Sequence, residues 1–128
     1  MRKDRELSNA DANERRIMQK TKVADLVQVL TFNEEKMIVD VKPIVKREIS
    51  GTYVSPPPIL AVKVAYVPMK AEDVKIKPNI KAGDIGTVVY LDIDSDSSII
   101  SGTESEPESS RLHSGDDAVF IGVIIPGL

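Results

Sequence analysis

The chain has 128 residues, enough for one domain with a substantial core. It contains no cysteine, which excludes a disulfide framework and a thiolate metal centre, and no apolar run reaches the ~18 residues a spanning helix needs, so no stable membrane insertion is expected. The net charge of −3 is unevenly spread: residues 1–81 carry 16 Lys/Arg against 11 Asp/Glu, whereas residues 82–128 carry one Arg against nine Asp/Glu.

The opening "MRKDRELSNADANERR" has no apolar stretch behind its charges and does not read as a secretory signal. Residues 8–20 predict a short N-terminal helix within a segment spanning residues 1–21. Ser8 or Asn9 can cap it, Asp11 and Glu14 fall early, and Arg15, Arg16 and Lys20 fall late, as the helix dipole prefers. Its apolar stripe is thin, so it docks weakly on its own domain and can meet a neighbouring subunit. From residue 22 onward the pattern is β. Residues 23–32 predict a strand and "NEEK" at 33–36 a turn. Residues 37–47 alternate, with Met37, Val39, Val41 and Val45 on the inner face and Pro43 marking an edge or bulge. After a connection over 48–58 comes a third strand over 59–67. "VKIK" at 74–77 is a short exposed piece whose lysines discourage edge pairing. "KAGDIG" at 81–86 reads as a tight turn in which Gly83 and Gly86 permit positive φ and Asp84 bonds its own backbone. Residues 85–93 form a fourth strand and 118–125 a last one. The stretch between them is rich in Ser and acids, which predicts a mobile acidic loop at about 95–112. The fold class is therefore all-β: a small five-stranded OB-type barrel over residues 22–128, preceded by the helical segment.

Two strands have too much apolar surface for a lone barrel. In 59–67, Leu60, Val62, Val64 and Tyr66 alternate with Ile59, Ala61, Lys63, Ala65 and Val67, and "AVFIGVII" at 118–125 is apolar on both faces. A barrel has one interior, so the second face needs a partner. The candidate interface residues are Ile59, Ala61, Ala65 and Val67, with Phe120, Ile121, Val123 and Ile124. Pro56, Pro57 and Pro58 deliver the chain stiffly into the third strand and lack the PxxP spacing of an SH3 ligand.

The remaining motifs carry little chemistry. Asp92, Asp94 and Asp96 alternate as in a calcium loop, but Ser97 and Thr103 stand where that loop wants Gly and Glu. His113 is the only histidine, and no serine sits in a nucleophile motif. No catalytic residue, metal or cofactor is expected.

The order "KVADLVQVLTFNEEKMIVDVKPIV", "PPPILAVKVAYVP", "IKPNIKAGDIGTVVY" and "RLHSGDDAVFIGVIIPGL" resembles the N-terminal OB-fold domain of the membrane-piercing central spike of tailed phages. The resemblance covers about residues 15–128. It implies a homotrimer beneath the tail tube, seated on tail hub proteins in the virion baseplate and made in the host cytoplasm. The family's β-helical shaft and its His-x-His iron tip have no counterpart in this sequence. The resemblance thus leaves three roles: a short spike base, the seat of a separate spike-tip protein, or a component that does no piercing. Two other classes bear on the same residues. A single-stranded nucleic-acid-binding module is disfavoured by sparse aromatics and an acidic C-terminal third. A non-viral oligomeric adaptor differs only in assembly behaviour.

Overall fold

A computed structural model describes residues 23–127, so the helix expected over 8–20 lies outside the described residues. In chain order the strands are β1 (Ala24–Asn33), β2 (Ile38–Pro43), β3 (Arg47–Ile49), β4 (Thr52–Val54), β5 (Ile59–Val64), β6 (Met69–Ala71), β7 (Val74–Ile76), β8 (Ile85–Tyr90) and β9 (Ala118–Ile125). A helix, α1 (Asp96–Ser101), and a 3₁₀ turn (Gly115–Asp117) lie between β8 and β9. Strands β1-β2-β5-β9-β8 close into a barrel. Every neighbouring pair is antiparallel except β5 and β9, which run parallel. This is the five-stranded OB-type barrel that the strand pattern predicts.

The barrel is filled mainly by valine. Val27, Val29, Val39, Val41, Val62, Val64 and Val88 are buried with Tyr90, Ala118 and Phe120, and Phe32, Met37, Ile59 and Ile80 pack around them. The expected inner face of the second strand holds for Val39 and Val41 but not for Val45, which is exposed. The strand ends at Pro43, which is itself buried, and the chain then leaves the barrel.

Bulges explain why simple alternation fails elsewhere. β1 has an extra residue at Leu30, between the pairs Val29↔Val41 and Thr31↔Asp40. β5 has one between Ile59 and Val62, where Ala61 takes φ 54°. Asp40 stands between the two bulges: one carboxylate oxygen accepts the Ala61 N–H at 2.9 Å and the other the Thr31 hydroxyl at 2.7 Å. The Ala61 N–H, and then the Thr31 hydroxyl, hold its pKa below the usual carboxylate value. The β5 bulge turns Ile59 inward and Leu60 outward, so Leu60 does not share the inner face of Val62 and Val64.

Strand directions fix what lies at each end of the barrel. β1, β5 and β9 run one way, and β2 and β8 the other. The β2–β5 connection, with the β3–β4 hairpin, therefore lies at the end where β1 begins, as does the acidic segment between β8 and β9. The β1–β2 turn, the β6–β7 hairpin and the C-terminal end of β9 share the opposite end.

Candidate assembly surface

The exposed apolar surface concentrates on β9 and on the chain leaving β5. In β9 only Ala118 and Phe120 are fully inside. The β8–β9 register slips twice: Val88↔Phe120 is followed by Thr87↔Gly122, and Gly86↔Val123 by Ile85↔Ile125. Ile121 and Ile124 are thus extra residues that bulge out of the ladder. Together with Val123 and Ile125 they are exposed. β5 pairs with β9 only at Lys63↔Val119 and Val64↔Phe120. The last tie between them is the Ala65 N–H, donated to the Phe120 carbonyl at 2.9 Å. Beyond it the chain diverges, leaving Tyr66 and Val67 in solvent, Val67 at 75% exposure.

Of the candidates taken from the sequence, Ala61, Ala65, Val67, Ile121, Val123 and Ile124 lie on the outside. Phe120 is placed differently: it is 0% exposed and fills the barrel, since it precedes the first bulge of β9. Ile59 is half-buried against the core. Leu60, on the outer side of the β5 bulge, belongs with the exposed set.

Two hairpins expose further apolar residues, β6–β7 at the same end of the barrel as the end of β9 and β3–β4 at the opposite end. Ser50 and Gly51, with φ of 53° and 80°, form the two-residue loop of β3–β4. Glu72, at φ 56°, opens the equivalent loop of β6–β7. Each hairpin packs chiefly on itself, although a two-stranded ribbon alone is marginally stable in water. Ile49, Tyr53 and Val54 are exposed on the first, Met69, Val74 and Ile76 on the second. The first is tied to the barrel at its base, where Arg47 donates to Asp25 at 3.1 Å and the Tyr90 hydroxyl donates to the same carboxylate oxygen at 2.6 Å. Burial, then that hydrogen bond, push the Tyr90 pKa well above the usual phenol value.

The turn residues are structural, with one reassignment. Gly83 has φ 94°, as the turn requires. Gly86 is not at positive φ; it sits within β8, where a Cβ would stand 2.6 Å from the Phe120 ring. Asp84 accepts the Lys81 N–H at 2.8 Å, closing its own turn, and also the Gly127 N–H at 2.6 Å. It thereby staples the chain after β9 to the turn before β8. The Gly127 bond first, and the Lys81 bond second, lower its pKa. Pro56 is buried, while Pro57 and Pro58 are exposed.

The acidic segment is built around one cation. Arg111 donates to Asp94 and Asp96 at 2.8 Å and grips both oxygens of Asp117, at 2.8 and 3.0 Å. The three carboxylates lie close enough to share a metal ion, but the guanidinium occupies the space between them and supplies the positive charge. Asp94 is held ionised first by the Ser109 hydroxyl, at 2.8 Å, and Asp117 first by Arg111. Arg111 was not singled out from the sequence. The available signal was that it is the only Lys or Arg among residues 82–128. Nearby, the His113 Nδ1 is buried with no hydrogen-bond partner, and the residue takes φ 47°.

A family model described as the phage protein Gp138 N-terminal domain matches residues 27–123, from the first buried valine of β1 to the exposed part of β9. The chain belongs to this family. The membership agrees with the phage resemblance read from the sequence, and places the domain among phage structural proteins. The match covers both hairpins, the Arg111 cluster and the first bulge of β9 at Ile121, and stops one residue short of the second at Ile124. No curated protein matches the chain.

Proposed function

We propose that the domain is a structural subunit of the phage tail baseplate, a spike or hub component that closes the end of the tail tube. It assembles as a homotrimer and docks on tail hub proteins, with no catalytic step. The observation that carries this reading is the apolar exterior of β9. A closed barrel already encloses its core, yet Ile121, Val123, Ile124 and Ile125 stand outside it, beside an edge that β5 leaves after Ala65. Exposed apolar edges of this kind drive association unless a partner covers them. Closed symmetry covers them without creating an open fibre. The number three comes from the resemblance to phage spikes; the surface itself asks only for partners.

Cross-linking mass spectrometry on intact particles of the phage that encodes the chain tests this placement. Links from the β6–β7 hairpin or the end of β9 to tail hub or tail tube proteins are the expected result. Absence of the chain from purified virions would overturn the reading.

A further inference from the structure

The acidic segment between β8 and β9 carries four large apolar side chains that the described residues leave exposed. Ile93 and Leu112 form a bridge pair, and both are exposed. Three residues after Asp96, which Arg111 anchors, α1 places Ile99 on the same helical face, and Ile100 stands 84% exposed. The same segment is rich in acids. Asp92, Glu104, Glu106, Glu108 and Asp116 are exposed and form no ion pair with Lys or Arg among the described residues.

We propose that this acidic segment, with its exposed apolar side chains, is the seat of the chain's own N-terminal segment, residues 1–22. Charge is the first argument. Residues 1–22 carry seven Lys/Arg and four Asp/Glu, a net +3, whereas residues 91–117 carry eight Asp/Glu and one Arg, a net −7. Apolar complementarity is the second. The segment has Leu7, Ile17 and Met18 among its charges, a small apolar set suited to Ile93, Ile99, Ile100 and Leu112.

Position is the third argument. The Val23 carbonyl accepts the Tyr90 N–H at 3.0 Å, so the segment joins the barrel one residue from where the chain enters the acidic lobe at Leu91. Ile17 is six residues from Val23, a reach of at most about 20 Å. A tether that short makes the N-terminal segment's effective concentration at this seat high, and weak electrostatic and apolar contacts then suffice. The opposite end of the barrel presents Lys70, Lys75, Lys77 and Lys81, which repel a basic segment.

The absence of cysteine permits a clean test. A nitroxide placed through Gln19→Cys in the full chain should strip the amide NMR signals of Ile93, Ile99, Ile100 and Leu112 of most of their intensity at low salt. The signals should return at about 1 M salt, where the screening length is about 3 Å, and also in the triple variant Glu104→Lys, Glu106→Lys, Glu108→Lys. Those three side chains are exposed and make no bond that holds the barrel, so the variant is expected to melt like the parent. Undiminished signals at low salt would overturn the proposal. So would broadening that appears only when spin-labelled and isotope-labelled copies are mixed, because the seat would then receive a neighbour's segment.

Discussion

Alanine at position 86 probes how tightly the barrel closes on its one buried phenylalanine. The added Cβ would stand 2.6 and 2.8 Å from the Phe120 Cζ and Cε2, and closer still to the Gly122 carbonyl oxygen. Comfortable carbon–carbon separation is about 3.5–4.0 Å, so the ring must retreat by roughly 1 Å. Phe120 is fully buried among the core valines, and a close-packed interior offers no such room. The carbonyl lies in the β8–β9 ladder and gives even less. Overpacking of this kind costs about 1–3 kcal/mol, and the backbone clash puts Gly86→Ala at about 3 kcal/mol. For a domain of this size that lowers Tm by roughly 10–15 °C. Circular-dichroism melts should be run at one protein concentration, since assembly makes Tm concentration-dependent. Phe120→Leu removes the ring atoms nearest the new methyl, so Gly86→Ala should cost measurably less in that background. A Gly86→Ala chain within about 0.5 kcal/mol of the parent, or strict additivity of the two changes, would refute the packing argument.

Asp84 has a lowered pKa, so its stabilisation is fully present above the ordinary value of 3.8 and is lost as pH falls through the lower folded value; Asp84→Asn should therefore lower stability at pH 7 and flatten its decline in acid, as urea titrations at several pH values would measure. Arg111→Ala leaves three unneutralised carboxylates within 4.8 Å of one another, so millimolar calcium should raise the Tm of the variant while leaving that of the parent unchanged; equal shifts in both would contradict the role given to the guanidinium. In native-state hydrogen exchange, residues 103–108, exposed throughout, should exchange fast, whereas Leu91 and Asp117, whose N–H groups donate to backbone carbonyls at 3.0 and 2.9 Å, should be slow; uniform protection across the loop would contradict this.

The five barrel strands were legible because valine alternation is strong in β1, β2 and β8 and because β9 is a continuous apolar run. Their ends were less so. The third strand was read to residue 67 but stops at Val64, because apolar composition continues after the chain has left β9. Both hairpins escaped full notice, since three-residue strands carry too little periodicity; only "VKIK" hinted at β7, and Ser50-Gly51 was the available turn signal for β3–β4. Bulges account for the misplaced faces. A single inserted residue reverses every side chain beyond it, which is why Leu60 points outward and why four residues at the end of β9 are exposed together. The Arg111 cluster was not legible within the acidic stretch, because it depends on Arg111 meeting carboxylates 6 to 17 positions away. No local pattern encodes such a meeting. The excess of apolar surface was legible even so, because it needs only composition and the knowledge that a barrel has one inside.

Sedimentation equilibrium on the purified chain over a wide concentration range tests the central claim most directly. The account predicts a single species of three chain masses, three times 14.0 kDa or about 42 kDa. It also predicts that Ile121→Asp with Ile124→Asp, both on the exposed bulges of β9, abolishes that species while the barrel still gives a strand-type circular-dichroism spectrum. A folded parent chain that stays at 14.0 kDa at every concentration would contradict the trimer, and with it the reading of β9 as an assembly face.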